Sequence, residues 1–293
     1  MSSLKDIKLR IKSVKDVKQI TRAMKMVAAS KLVKSEGKML STRSFVSRLE
    51  KINSFVVSHK DVYTTKDLNI ELLKGRPQVR KVGLLVLSGD RGLCGSFNSN
   101  VIKKACQKFE ELGGTEKVTL LGIGKKANAF FRRKNFPLAL DIAGIFGNLS
   151  FKESTSIMNQ VISLFQSGAV DAVSVIYNRH KASSGGDGGP IGIKRLLPLE
   201  APEITDLTDY LYEPSPQEFL EKWTPYFLNI QLYSLLLESE TAEFFARMVA
   251  MDSASNNATE LIGNLTLEYN RARQAAITKE LLDIVGGAEA IKS

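Results

Sequence analysis

The C-terminal part of the chain contains a long stretch with almost nothing to interrupt a helix. From Tyr226 to Val285 there is no proline, and Gly263 is the only glycine. Sixty helical residues, at about 1.5 Å each, would extend roughly 90 Å, which is far longer than a compact domain needs. Such a helix needs a second long helix to cover its apolar residues. The chain is therefore limited to folds that provide one.

Local signals predict where this helix begins and ends. Ser215, Pro216 and Glu218 combine an N-cap, a proline at the first helical position and a glutamate at the third, which predicts a helix start. Pro225 predicts a bend or the start of a second helix. The pair Gly286-Gly287 predicts the end of the helical segment.

The N-terminal segment has the properties of the partner helix. No proline occurs before Pro77, and Gly37 is the only glycine in a helix predicted from about Ser3 to His59. Apolar residues recur there at steps of three and four, with a shortened repeat near the middle. They are Leu4, Ile7, Ile11, Val14, Val17, Ile20, Met24 and Val27. A similar seam in the C-terminal segment consists of Leu261, Leu265, Tyr269, Ala272 and Ala276. The two seams predict an antiparallel coiled coil.

Between these segments the hydrophobic period changes. Short apolar runs alternate with amphipathic helical stretches, which is typical of strands buried on both faces and the helices that connect them. The predicted strands are 81–87, 118–122, 170–177 and 191–199. This alternation predicts an α/β fold, with a Rossmann-like, mainly parallel sheet domain inserted between the two long terminal helices. The predicted boundaries are 1–60 for the N-terminal helix, 61–80 for a connecting loop, 81–200 for the sheet domain and 208–293 for the C-terminal helix.

Nearly all the excess charge lies in the first helix. The chain carries a net charge of +10, and residues 1–34 hold ten Lys or Arg against Asp6 and Asp16, a net charge of +8. A basic helix can bind nucleic acid through its phosphates, and a nucleic-acid-binding coiled-coil protein is one alternative. However, no aromatic residue interleaves these charges before Phe45, so base stacking is unsupported. The apolar seam favours a protein partner over nucleic acid. The cationic outer face of the helix favours an acidic surface on that partner.

The glycine-rich turns do not match nucleotide-binding motifs. Gly89–Gly95 follows the first predicted strand, but its glycines are three residues apart, unlike those of a dinucleotide-binding loop. Gly122–Lys126 fails the P-loop pattern because Thr119 stands where the first glycine belongs and Lys126 stands where Ser or Thr should be. A tight strand-to-helix turn is the better interpretation of Gly89–Gly95, although an enzyme that binds a nucleotide there remains the second alternative.

No other group of residues indicates chemistry. Cys94 and Cys106 are twelve residues apart, which fits neither a redox pair nor a zinc site. His59 and His180 are expected to be exposed polar residues. We therefore expect no catalytic residue, no metal and no cofactor.

Six motifs, in order along the chain, give it a family resemblance. They are Gln19–Lys31, Asp90–Gly95, Leu196–Leu199, Tyr210–Pro214, Ala246–Met251 and Tyr269–Leu281. Together they make the chain resemble the gamma subunits of F-type ATP synthases. Gly89 departs from the family, which usually has Ser or Thr before this Asp-Arg pair. The cysteine-containing insertion of chloroplast members is missing, so the resemblance implies no thiol regulation.

The resemblance implies a rotor without a catalytic site of its own. The coiled coil would stand inside a ring of three alpha and three beta subunits, and the sheet domain would dock with epsilon on the membrane-embedded c-ring. ATP would be made and hydrolysed on beta, coupled to proton flow. The chain would be peripheral on the cytoplasmic face of a bacterial inner membrane, and nucleic acid would not be a partner.

The resemblance also implies which residues contact other subunits. Near the C-terminus, the residues expected to meet beta's catch loops are Arg273, Gln274, Thr278 and Glu280. Lower on the coil, the residues expected at the coupling interface with beta are Met24, Lys25 and Arg247. Tyr210 and Tyr212 would lie near the ring or epsilon.

Overall fold

Two long helices contain both ends of the described chain. A computed structural model describes residues 4–58, 70–180, 191–199, 213 and 215–292. Helix α1 (Leu4–Ser58) comes first, and the last helix, α6, spans Pro216–Lys292. Both long helices predicted from the sequence are therefore confirmed.

A five-stranded sheet lies between them in the sequence. Its strands are β1 (Val82–Leu87), β2 (Val118–Ile123), β3 (Leu138–Ile142), β4 (Ala172–Asn178) and β5 (Ile191–Leu197). The strand order is β3-β2-β1-β4-β5, with all neighbouring pairs parallel except β4 with β5. The predicted mainly parallel, Rossmann-like sheet is confirmed. Strand β3, at one edge, was not predicted.

Four shorter helices accompany the strands. They are α2 (Ile70–Lys74), α3 (Phe97–Glu111), α4 (Lys125–Arg133) and α5 (Phe151–Gln166). Helix α2 lies within 61–80, where the sequence predicted only a connecting loop. It buries Leu72 and Leu73 completely or nearly so, so the end of the connector folds onto the apolar core.

The chain forms two compact units. Unit 1 comprises Met1–Ala28 and Arg247–Ser293, and unit 2 comprises Ala29–Ala246. Each long helix contributes to both units. This division differs from the sequence-based boundaries, which keep each helix whole and stay a prediction.

In unit 2 the two faces of the sheet bury alternate side chains of each strand. Leu84 and Val86 of β1 pack with α3 and α4. Leu85 and Leu87 join a larger core with α5 and the unit-2 parts of α1 and α6. A strand buried on both faces reads as a continuous apolar run, which is why β1 could be predicted.

The unit-2 parts of α1 and α6 run antiparallel. Ser35 Oγ lies 2.8 Å from Thr241 Oγ1, and Trp223 Nε1 donates to Asn53 Oδ1 at 3.4 Å. Residue numbers rise along α1 as they fall along α6. The predicted antiparallel arrangement is confirmed here.

The buried seam of α1 in unit 1 differs from the predicted one. Val17, Ile20 and Val27 were predicted to be in the seam, but they are 49%, 60% and 58% exposed. Thr21 and Ala28 are buried instead. The positions that are buried or half-buried include Leu4, Ile7, Ile11, Val14, Lys18, Thr21, Lys25 and Ala28.

This observed seam keeps a strict three-and-four repeat, the period at which two helices stay in contact along their length. It accepts Thr21 because the threonine hydroxyl donates to the Val17 carbonyl oxygen at 3.0 Å and leaves no polar group unsatisfied. In α6, Leu265 is buried as predicted, whereas Leu261 is 47% exposed. The sequence analysis assigned the apolar residues to the seam. In the structure, the helical repeat determines which residues are buried there.

The signals at the ends of α6 were partly correct. The backbone N–H of Glu218 donates to Ser215 Oγ at 3.3 Å, so Ser215 caps the helix as predicted. Pro225 lies inside one continuous helix and does not start a second one. The pair Gly286-Gly287 does not end the helix, which continues to Lys292, because glycine weakens a helix by only about 1 kcal/mol and does not forbid it.

An ion pair fixes the connector that leads into β1. Arg76 Nη1 lies 2.7 Å from Asp171 Oδ1, and Asp171 Oδ2 accepts the backbone N–H groups of Arg80 and Lys81 at 2.8 and 2.9 Å. Burial alone would raise the pKa of Asp171, but these hydrogen bonds and the Arg76 charge hold that pKa below its ordinary value. The carboxylate therefore stabilises the fold in its ionised form.

Candidate functional site

The residues that the sequence assigns to the beta interface all lie in unit 1. Met24 and Lys25 lie on α1, and the others lie on α6. Met24, Lys25 and Arg247 are half-buried. The exposed members are Arg273, Gln274, Thr278 and Glu280. Tyr210 and Tyr212 lie outside the described residues.

Lys25 forms an ion pair across the two helices of unit 1. Its Nζ lies 2.6 Å from Asp252 Oδ1, and the two side chains are 40% and 46% exposed. An ion pair this exposed contributes at most about 1 kcal/mol, so its main effect is to hold the ammonium group in one position. The sequence analysis did not identify Asp252 as a site residue, because Asp252 lies beside Lys25 only through the register between the two helices.

The four exposed residues near the C-terminus lie on two adjacent faces of α6. Arg273 and Glu280 are seven residues apart and share one face. Gln274 and Thr278 are four apart, and the Thr278 hydroxyl donates to the Gln274 carbonyl oxygen at 3.0 Å. That bond leaves the hydroxyl oxygen as an acceptor for a partner's N–H group. This part of α6 thus presents a cation, an anion, an amide and an acceptor hydroxyl.

Unit 1 also exposes apolar residues, and the sequence analysis placed three of them in the seam of the coil. On α1, Val17, Ile20 and Val27 lie on one helix face and point outward. Near the end of α6, the exposed apolar residues are Ile277, Leu281, Leu282, Ile284 and Val285. Large exposed apolar surface is typical of interaction sites. The sequence-based assignment of Val17, Ile20 and Val27 to the seam was therefore wrong.

In unit 2 the glycine-rich turns make close contacts with neighbouring backbone. Asp90 Oδ1 accepts the backbone N–H groups of Lys125 and Gly144, each at 3.0 Å. Gly124 has a φ of +103°, and a Cβ there would lie 1.9 Å from the Ser88 carbonyl oxygen. These contacts favour the interpretation of Gly89–Gly95 as a tight turn.

His180, Cys94 and Cys106 of unit 2 are buried or half-buried, and His59 lies outside the described residues. His180 was expected to be exposed, but it is 5% exposed and its ring meets Phe245 edge to face with centroids 5.8 Å apart. Cys94 is buried and Cys106 is half-buried, and the two thiols are not joined in a disulfide. Burial, followed by the charge of Glu110, raises the pKa of Cys106, which favours the protonated, less nucleophilic thiol.

Two further kinds of site are absent from the described residues. In the parts of the chain that the structure describes, no group of His, Cys, Asp or Glu is arranged to hold a metal ion. None of the described helices combines the length and the apolar character needed to cross a membrane.

Comparison of the sequence with known families defines the class of protein. A family model described as ATP synthase matches residues 3–291. The ATP synthase gamma chain of Chlorobaculum tepidum is 41% identical over 300 residues and is covered completely, as is this chain. The gamma chain of Desulfitobacterium hafniense is 38% identical over 292 residues, again with complete coverage of both. This chain belongs to the ATP synthase gamma chain family.

Solved structures share the fold. A chain of the central stalk and c-ring structure of Tetrahymena thermophila mitochondrial ATP synthase is 26% identical with a TM-score of 0.60, covering 80% of this chain and 99% of that one. A chain of the Euglena gracilis mitochondrial ATP synthase structure, in rotational state 3, gives a TM-score of 0.67 at 19% identity, covering 98% of this chain and 94% of that one.

Proposed function

We propose that this chain is the central rotor stalk of an F-type ATP synthase. The proposal rests on the surface of unit 1. There the paired helices α1 and α6 expose apolar residues and cations, and no other described part of the chain covers them. An exposed surface of this length suits a shaft that is enclosed by other subunits. Membership of the gamma chain family supports the same function.

The partners in this proposal are three alpha and three beta subunits around the coil, with epsilon and the membrane c-ring at the sheet domain. The net charge of +8 on residues 1–34 suits acidic segments on beta. The chain itself would carry no catalytic site, since ATP would bind on beta. Its location would be peripheral, on the cytoplasmic face of the bacterial inner membrane.

The mechanism follows from linkage between shaft orientation and nucleotide affinity. An asymmetric shaft presents a different face to each of three otherwise identical beta subunits, and each face stabilises a different beta conformation. Turning the shaft exchanges these preferences, and bound nucleotide in turn biases the orientation of the shaft. Proton flow through the ring would supply the rotation during synthesis.

Individual residues have distinct roles in this proposal. Arg273, Gln274, Thr278 and Glu280 would form polar contacts with beta's catch loops that break and reform at each step. Met24, Lys25 and Arg247 would lie at the coupling interface. The Asp252 carboxylate, 2.6 Å from Lys25 Nζ, would keep that cation from binding too strongly to one beta subunit. Tyr210 and Tyr212 would contact the ring or epsilon.

Reconstitution tests the proposed function. The purified chain is mixed with alpha and beta subunits, and ATP hydrolysis is measured together with the mass of the complex. We expect no turnover by the chain alone and a stable, active complex containing one copy of the chain. Turnover by the contaminant-free chain, or failure to join alpha and beta, would overturn the proposal.

A further inference from the structure

The sheet of unit 2 has the topology that binds nucleotides in many proteins. Strands β1 and β4 are neighbours at the centre of the order β3-β2-β1-β4-β5. The chain leaves β1 toward one edge of the sheet and leaves β4 toward the other. Such a switch point opens a crevice at the carboxyl ends of the two strands, where ligands of doubly wound folds bind.

Helix α6 lies in this crevice and contacts three of the loops that line it. The backbone N–H of Gly147, after β3, donates to Glu240 Oε1 at 2.7 Å. The backbone N–H of His180, after β4, donates to Glu238 Oε1 at 3.4 Å. At Gly89, after β1, an added Cβ would lie 3.0 Å from the Glu243 carboxylate. Three glutamates of one helix thus meet loops that follow three strands.

The directions of these side chains place the helix between the loops. Glu238 and Glu240 are two residues apart, so at 3.6 residues per turn they point to nearly opposite sides of α6. One reaches the loop after β4, and the other reaches the loop after β3. The Glu240 carboxylate also accepts the Ser35 hydroxyl of α1 at 3.3 Å.

Burial distinguishes these glutamates from surface residues. Glu240 is 6% exposed and Glu243 is 3% exposed. Buried carboxylates are costly unless hydrogen bonds satisfy them, and the Gly147 N–H and the Ser35 hydroxyl donate such bonds to Glu240. A small apolar cluster of Cys94, Phe97 and Ala242 packs beside them.

We propose that Glu238, Glu240 and Glu243 make α6 a built-in ligand of the sheet's crevice, and that this three-point clamp transmits torque between the sheet and α6. Carboxylates occupy the region where a nucleotide's phosphates lie in doubly wound folds, so the crevice is closed to nucleotides. The second half of the proposal rests on the proposed rotor function, since a shaft that slipped against the sheet would lose coupling.

Hydrogen exchange of the full-length chain tests the clamp. Gly147 is exposed, so its amide should exchange rapidly unless the Glu240 carboxylate holds it. We expect slow exchange in the wild type and exchange at least about tenfold faster in Glu240→Ala, the loss expected for a hydrogen bond to a charged group. Glu240→Gln retains an acceptor oxygen and should give intermediate exchange. Rapid exchange in the wild type would overturn the clamp without relying on any variant that must fold.

A matched control and a ligand test complete this experiment. Glu260→Ala removes an exposed glutamate of the same helix and should leave exchange at Gly89, Gly147 and His180 unchanged. ATP or NADH added to the wild-type chain should not slow exchange at these amides. Protection by either nucleotide would mean that the crevice is an open ligand site, which overturns the proposal.

Torque transmission through the clamp is tested in the assembled complex in membrane vesicles. We expect Glu240→Gln combined with Glu243→Gln to retain ATP hydrolysis while ion pumping per ATP falls, and Glu260→Ala to change neither. Unchanged pumping together with faster exchange would refute torque transmission while leaving the rotor function intact. Failure of the wild-type chain to assemble with alpha and beta would instead refute the rotor function. The exchange experiment uses the chain alone, so its result is independent of assembly.

Discussion

Lys25 Nζ and Asp252 Oδ1 lie 2.6 Å apart and link the two helices of unit 1. Because both side chains are substantially exposed, solvent and salt screen their attraction. The pair positions a cation at the proposed coupling interface more than it stabilises the fold. Its removal should therefore affect function and stability to different extents.

Replacing Asp252 tests this separation. We expect Asp252→Asn to lower the free energy of unfolding by at most about 1 kcal/mol at low salt, with the difference vanishing at high salt, as measured by urea denaturation. In the assembled complex the released Lys25 should bind beta more strongly and slow hydrolysis. Asp16→Asn, at another exposed carboxylate, is the control. A loss well above this limit would mean that the pair is structural.

Met24 is half-buried next to Lys25, and its uncharged, flexible side chain can slide past successive beta subunits. We expect Met24→Lys to add an ion pair with beta worth about 1–3 kcal/mol that must break at every step. Assembly should be retained while ion pumping per ATP falls, most visibly at low temperature. The comparison is ATP hydrolysis against ion pumping in vesicles, with Met24→Leu as the control.

Two other results for Met24→Lys would each reject this account. If hydrolysis and pumping fall in proportion because the complex does not assemble, Met24 is a packing residue. If neither changes, Met24 does not contact beta.

The Asp171 carboxylate predicts a specific pH dependence of stability. Its pKa in the folded chain lies below the ordinary value of 3.8, so the folded state favours the ionised form. Its contribution is therefore fully present above about pH 4 and is lost as the pH falls through the folded pKa. We expect Asp171→Asn to cost about 2–3 kcal/mol at pH 7 and progressively less in acid.

Urea denaturation of wild type and Asp171→Asn between pH 7 and pH 3 measures this dependence. Glu111→Gln, at an exposed carboxylate paired with Lys108, serves as the control and should change stability little at any pH. A destabilisation by Asp171→Asn that is constant with pH would contradict the assigned role of the charge.

Glycine is required at Gly124 for two reasons. The residue has a φ of +103°, and any Cβ would collide with the Ser88 carbonyl oxygen. We expect Gly124→Ala to destabilise the chain by at least about 3 kcal/mol. Gly144 has a φ of +82° but open space around it, so Gly144→Ala should cost only about 1–2 kcal/mol. Equal melting temperatures of the two variants would contradict the close approach.

The architecture could be predicted because its signals are local. The proline-free stretches predicted both long helices, and the apolar run at 82–87 predicted the central strand. Strand β3 was missed because Leu138–Ile142 is short and alternates between buried and exposed residues at the sheet edge. Nothing local distinguishes such a segment from a loop until β2 provides its hydrogen-bonding partner.

Features that depend on contacts between distant residues could not be predicted. Thr21 is buried and Val17 exposed because the packing period of two helices determines which residues face inward. The partnership of Lys25 with Asp252 requires the register between α1 and α6. The contact of Gly147 with Glu240 requires both the unpredicted β3 and the position of α6 on the sheet.

The central claim is that this chain rotates inside alpha and beta subunits, and direct observation of rotation tests it. A probe attached to Lys103→Cys, an exposed position of α3, in a Cys106→Ser background is followed on complexes immobilised through beta. The account predicts ATP-driven rotation in one direction with three stops per turn, one for each beta subunit. A stable complex that hydrolyses ATP while the probe stays fixed relative to beta would contradict it.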